Sequence, residues 1–444
     1  MKKKIISLLL CTLIAGSGAS LFSVSAVENE QELQYIRPIE NNNLLSYYNE
    51  NGDEVDVEAL NNDVDVNETS LPSKYDLRKY NRVTSVKNQG SEGLCWDFAS
   101  TASMESNILS QPELSAKEGD NPSRSLDLSE SGHTWYIHTN CDDKSSPLYG
   151  DYINDPAKGS TGGSADMVAH GLSAGYGAYP ENLLPYESKN SCPEGLRYYS
   201  DYRLKDYNEL TNDNALIKKN VIEKGAVVIN YNCFYSNTYM VDGMQSYYDN
   251  GNPIDGSNNQ AHLVVAVGWD DSFSKENFNP EMQPENDGAW LCKNSWGEES
   301  CSTAKGYEGY FWMSYETPLS CVASYEMQSV DEFDNIYQHQ LTSYAGFNVE
   351  SAANVFTAKS NEVLKQICLQ TVGAADVEIE IYKLNSGFTS PQDGNLISSF
   401  DCSIDFTGIH TVDCPDNVTL GAGDTFSVVV KSNSDLFLNF KSDS

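Results

Sequence analysis

The stretch KNQGSEGLCWDFAS, Lys87 to Ser100, passes from a glycine-punctuated loop into a run with no Gly or Pro between Cys95 and Leu109. Phe98, Ala99, Ala102, Ile108 and Leu109 form an imperfect helical stripe and Pro112 ends it, so the pattern predicts a helix that begins at Cys95 and buries one face. A thiol with an ordinary pKa of about 8.5 is mostly protonated at neutral pH. At the first turn of a helix, unpaired backbone N–H groups carry partial positive charge and favour the thiolate. Cys95 is therefore a candidate nucleophile, and the chemistry calls for a base elsewhere in the chain.

The histidines are His133, His138, His170, His262, His339 and His410. Only His262 opens a strongly apolar strand, HLVVAVGW, and only it is followed at moderate distance by an asparagine in a polar break between aromatic residues, in KNSW. The carboxamide oxygen of Asn294 can accept the proton on one ring nitrogen and leave the other to face sulfur. On these residues alone, a satisfied core histidine remains an open reading of His262. His133, His138 and Cys141 lie close together, but no further ligand follows at a suitable spacing and no C-x-x-C pair occurs, so neither a metal site nor a cofactor is expected.

With Lys plus Arg at 28 against Asp plus Glu at 64, the formal charge is −36, which repels phosphate backbones and anionic lipid and excludes nucleic acid as a natural partner. The opening MKKKIISLLLCTLIAGSGASLFSVSA has the lysines, short apolar run and small residues of a secretory signal, with cleavage expected after Ala26. Nothing later is long and apolar enough to span a bilayer, so a soluble, exported protein is expected. Loss of the signal removes Cys11 and leaves ten of the eleven cysteines, whose disulfide pairing the sequence does not reveal.

Residues 27–70 are rich in Glu, Asp and Asn and read as a propeptide or linker. From 71 to 327, helix-forming sequence gives way to short β-branched or aromatic runs, GAVVINY, HLVVAVGW, AWLCKNSW and GYFWMSY, which predicts an α+β domain with a cleft between its halves. From 331 to 444, alternation in DVEIEIYKL (Val377, Ile379, Ile381) and DTFSVVVKS (Phe426, Val428, Val430) predicts half-buried strands of a β-sandwich.

Four segments in order, LPSKYDLRKYNRVTSVKNQGSEGLCW, STGGSADMV, AHLVVAVGW and AWLCKNSWG followed by GYFWMSYE, resemble the papain family of cysteine peptidases. The resemblance implies a two-lobed fold, helical lobe plus β-barrel-like lobe, with Cys95 as nucleophile, His262 as acid and base and Asn294 as the group orienting the imidazole. It further implies that Gln89 and the Cys95 N–H bind the oxyanion, that Trp296 shields the Asn294–His262 hydrogen bond, that Gly162 and Gly163 admit the substrate backbone, and that Ala165 and Leu263 border a pocket for an apolar side chain. The substrates implied are proteins or peptides. The tail is similar to the lectin-like sandwich of secreted or surface-attached bacterial members; surface-glycan binding and simple packing on the peptidase domain are both open readings for it.

The chain also departs from that pattern. Glu92 and Ser160 stand where the family commonly has a disulfide, Leu94 replaces a small residue before Cys95, and Asp97 replaces another, placing acidity beside the thiol. The segment Leu128 to Lys158 is long, and its CDDKSSPLYGDYINDP content predicts a surface loop near the cleft. An adhesion protein with an inactive peptidase scaffold, and a transpeptidase using the same nucleophile, are the alternatives to a secreted endopeptidase.

Overall fold

The computed structural model describes residues 4–9, 71–146, 148–150, 162–186, 192–251, 261–331, 333–339, 346–415 and 418–439. The expected helix runs over Cys95–Ser110 and ends at Gln111, an extended residue followed by Pro112. It is buried on nearly every side, which is why its apolar stripe is imperfect in the sequence. Polar side chains on the helix meet backbone instead of water: Ser103 Oγ donates to Ala226 O (2.6 Å), Ser106 Oγ to Arg82 O (2.7 Å), and Asn107 Nδ2 to Lys224 O (2.7 Å). These bonds satisfy groups that would otherwise cost free energy on burial, and they tie the helix to the strand-rich half.

That half is an antiparallel ladder in which Val227–Asn232 pairs with Ala261–Asp270, Ala261–Asp270 with Ala289–Lys293, and Ala289–Lys293 with Tyr310–Ser314. All residues of Ala261–Asp270 after the first are buried, as expected of a central strand carrying an unbroken apolar run. Gly268 lies against the Lys74–Asp76 strand so closely that a Cβ there would fall 2.3 Å from Tyr75 O. The long strand Leu319–Ser329 closes the domain, pairing with both Val227–Asn232 and Tyr202–Glu209.

The C-terminal part is all β. Thr425–Asn439 lies between Gly346–Thr357 and Ala375–Leu384, and Gly394–Ile404 flanks the latter. Glu362–Thr371 with Thr407–Asp413 forms the facing layer. Val377, Ile379, Ile381, Phe426, Val428 and Val430 all lie in its core, in the alternation the sequence predicts. Thr407–Asp413 also pairs antiparallel with Tyr202–Glu209, so one backbone ladder joins the two parts. Lys4–Leu9 forms a strand parallel to Glu362–Thr371; the remainder of the expected signal and propeptide lies outside the described residues.

One sequence expectation changes and one open point closes. Leu128–Lys158 is not simply a surface loop: Glu130–Ile137 is a largely buried helix capped by Ser129, and Leu148 is fully buried, while 151–158 lies outside the described residues. Its dense polar residues mislead because many of them are paired inside the protein. The ten cysteines from Cys95 onward, whose pairing was open, are all free thiols.

Candidate active site

Cys95 is the first residue of its helix, behind Leu94, which packs into the core. Trp96 is fully buried, and Gly163 lies against its ring: a Cβ at 163 would sit 2.5 Å from Trp96 Cε2. Gly162, at φ +86°, makes the turn that brings this backbone in. Gln89 is locked from several directions. Its Oε1 accepts from Ser295 Oγ (2.6 Å), its backbone N–H donates to Ser295 O (2.8 Å), and its Nε2 donates to Glu92 O (2.7 Å). An amide nitrogen has two hydrogens, so one remains for a further acceptor.

His262 stands near the start of the central strand and is buried. Its Nε2 donates to Asn294 Oδ1 at 2.9 Å, leaving Nδ1 for other chemistry. Asn294 Oδ1 also accepts from Ser295 N (2.8 Å), and its Nδ2 donates to Cys301 Sγ (3.2 Å). Flipping the carboxamide would set donor against donor, so its orientation is fixed. Trp296 lies almost parallel to the imidazole, centroids 4.6 Å apart at 18°, and Tyr231 meets it edge-on. The Cys95 helix packs against the Ala261–Asp270 strand, and the amide of Leu263, the residue after His262, favours the Cys95 thiolate. The strand and the helix start thus meet at this point.

Burial opposes charge on both groups. It pushes the Cys95 thiol up, with the amides of Leu263, Trp96 and Cys95 pulling part of the way back. It holds the imidazole of His262 down to about 4, against the Asn294 hydrogen bond. A single proton passed from sulfur to imidazole leaves the net charge of the pair unchanged, so the two ions stabilise each other where neither alone would form.

Behind the site is a cluster the sequence reading missed. Lys87 Nζ contacts Glu105 Oε1 (2.9 Å), Asp127 Oδ1 (2.8 Å) and Glu130 Oε1 (3.0 Å), and Lys293, next to Asn294, donates to Thr84 Oγ1 (3.0 Å). Burial pushes Glu130 up to about 8 and Lys293 down to about 8. Burial acts upward on Glu105 too, but Lys87 and Lys293, with hydrogen bonds from Thr84 and Leu128, hold it below the usual carboxylate range. The only available sequence signal was the placing of these lysines: Lys87 opens the loop before Cys95 and Lys293 precedes Asn294.

Three further residues are not joined in one site. His133 Nδ1 faces Asp97, His138 Nδ1 faces Thr134 O (2.9 Å), and Cys141 Sγ lies 3.6 Å from Tyr198 OH. Of the expected pocket residues, Ala165 exposes none of its surface and holds Tyr325 OH through its carbonyl at 2.5 Å, so it does not border the cleft directly; close packing at the head of the Ala165–Ser173 helix covers it. Leu263 is also buried.

Known proteins resemble this chain over both of its parts. The family model described as papain family cysteine protease matches residues 71–330, and one described as lectin like domain matches 336–436. Cysteine proteinase 1 of Zea mays is 27% identical over 54% of this chain and 56% of its own length. Procathepsin L of Mus musculus is 25% identical over 56% of this chain and 63% of its own. The chain thus spans little more than half the length of these relatives. The structure of the cysteine protease Cwp84 after propeptide cleavage matches at a TM-score of 0.65 and 24% identity, covering 84% of this chain and 89% of that one. A second Cwp84 structure, of the protease and lectin-like domains of a surface layer associated protein of Clostridium difficile, matches at 0.64 and 23%, covering 84% and 79%. At these identities the likeness is one of fold.

Proposed function

The chain belongs to the papain family of cysteine proteases, and from that premise we propose that it is an exported endopeptidase acting through Cys95, His262 and Asn294. The observation that carries this reading is the hydrogen bond that holds the His262 imidazole to Asn294, on a strand packed against the helix that Cys95 opens. The Cys95 thiolate attacks a peptide carbonyl, the imidazolium of His262 protonates the leaving amine, and water then releases the acyl group. The remaining hydrogen of Gln89 Nε2 and the N–H of Cys95 receive the oxyanion. Trp296 keeps water from the His262–Asn294 bond, and Gly162 and Gly163 let an extended substrate approach the backbone. Leu263 is assigned to the wall of an apolar pocket.

No cofactor enters this scheme. The substrates are proteins or peptides, and the lectin-like match supports surface glycan as partner of the C-terminal domain. Depletion of the full chain by insoluble cell-wall polysaccharide measures that partner. For the activity, casein turnover by wild type and Cys95→Ala is the test: turnover is expected to vanish in the variant, and turnover that persists overturns the reading. A product spectrum that shifts to the aminolysed peptide when an amine is added would instead identify a transpeptidase.

A further inference from the structure

Cys301 is the middle residue of a tight three-residue turn. Ser302 N donates to Ser300 O at 2.6 Å, and Cys301 sits at φ +62°, in the left-handed region where a side chain is penalised. Among the described residues three besides glycine have a positive φ; Asn81 and Asp242 are of the types that tolerate it, and Cys301 is not. Its neighbours hold it there. Ser300 O also accepts from Gly309 N (3.0 Å), while Ser302 Oγ donates to Tyr310 O (2.8 Å) and accepts from Gln245 N (3.0 Å). Backbone strain of this kind costs stability and clusters at functional sites. Here it places a partly buried sulfur 3.2 Å from Asn294 Nδ2.

The Asn294 carboxamide is otherwise held from one end. Its Oδ1 takes His262 Nε2 (2.9 Å) and Ser295 N (2.8 Å), and with these two bonds alone the amide plane could swing about that oxygen. Among the described residues, Cys301 Sγ is the one acceptor within hydrogen-bond reach of Nδ2, and it ties down the opposite end. We infer that Cys301 is a positioning residue: its sulfur, set by the strained turn, fixes the plane of the Asn294 carboxamide and through it the direction of the His262 imidazole. The inference rests on the reading of His262 as acid and base and of Asn294 as the group that orients it.

Burial pushes the Cys301 thiol up, against hydrogen bonds with Ser300 and Asn294, so the group stays protonated at neutral pH and brings no charge to the partner of the imidazole. It acts as a neutral acceptor, for which a hydroxyl is the nearest substitute. Glycine would relax the turn at this φ but would leave the amide of Asn294, a buried residue, without its acceptor. Backbone ease and side-chain role therefore pull in opposite directions at this one position.

The test compares Cys301→Ala, Cys301→Gly and Cys301→Ser in the full chain, by casein kinetics and by thermal unfolding. Alanine and glycine both remove the acceptor, and each is expected to lower kcat about tenfold, as for one hydrogen bond lost from a buried group, with KM unchanged. Glycine also relaxes the left-handed turn, so its variant should melt about 2–4 °C above the alanine variant while being no more active. Serine restores an acceptor and should recover most of the lost kcat. A glycine variant with wild-type kcat, a loss confined to KM, or a serine variant no better than alanine overturns the proposal. If the alanine variant does not fold, glycine against serine carries the same comparison. Failure of the underlying reading is seen separately, as casein turnover surviving Cys95→Ala or His262→Ala.

Discussion

Replacing Glu105 by alanine removes the anion at the centre of the buried cluster. Its carboxylate accepts from Lys87 Nζ (2.9 Å), Leu128 N (2.8 Å) and Thr84 Oγ1 (2.5 Å), and none of its surface reaches water. The alanine variant strands the Leu128 N–H, worth about 1–3 kcal/mol, and leaves Lys87 and Lys293 short of a counter-charge. Breaking a buried ion pair from one side costs about 3–5 kcal/mol. At about 2–4 °C per kcal/mol for a domain of this size, the melting temperature should fall by roughly 6–20 °C. Glu105→Gln should lose less, because its amide oxygen still receives Leu128 N–H and because Glu130, pushed up to about 8, can ionise to take over as counter-ion. Tryptophan fluorescence during thermal unfolding of the full chain is the assay. A Glu105→Ala melt within about 2 °C of wild type would refute the reasoning that this buried cluster stabilises the fold.

Gly163→Ala forces a methyl into the Trp96 ring and should cost about 1–3 kcal/mol by overpacking; an unchanged melting curve would show that the ring yields freely. If Gln89 is the proposed oxyanion donor, Gln89→Ala should lower kcat on casein on the order of a hundredfold, with the melt checked in parallel to separate this from loss of the Ser295 contacts. Activity should fall as pH drops through about 4, where His262 takes up a proton and can no longer accept one from sulfur; an acid limb centred near 6.5 would contradict the buried neutral imidazole. His170, held down to about 4 by burial, stays neutral in the folded chain while the unfolded chain binds its proton below about 6.5. Its contribution is thus fully present above pH 6.5 and is lost as pH falls toward 4, on the order of 3 kcal/mol; His170→Gln should flatten the dependence of melting temperature on pH over that window.

The helix that Cys95 opens, the strand of His262 and the turn of Asn294 were legible because each is a local pattern: a Gly-to-helix transition at Cys95, an unbroken apolar run after His262, and a polar break holding Asn294. The sandwich core was legible from period-two alternation at Val377, Ile379 and Ile381. What stayed hidden depends on long-range partners. Glu105 and Glu130 look like ordinary solvent-facing acids until Lys87 and Lys293 arrive from elsewhere in the chain. Asp97 reads in the sequence as acidity beside the thiol, and nothing local shows that His133, weighed there with His138 and Cys141 as a metal ligand, lies 3.1 Å from its carboxyl group. The burial of Ala165 depends on how the head of its helix packs, which no spacing in STGGSADMV records. The pairing of Thr407–Asp413 with Tyr202–Glu209 joins segments some two hundred residues apart, and no turn sets their register.

That pairing bears on how the molecule holds its two parts. The Gln366 amide adds a bond to Gln328 across the same seam (3.0 Å), and Cys368 and Ile409 belong to the peptidase core. A proteolytic nick between Ser329 and Asn335 should therefore leave both fragments together on a sizing column. Anything gripping the C-terminal part also aims the catalytic cleft, as a bracket aims a lamp, instead of merely tethering it.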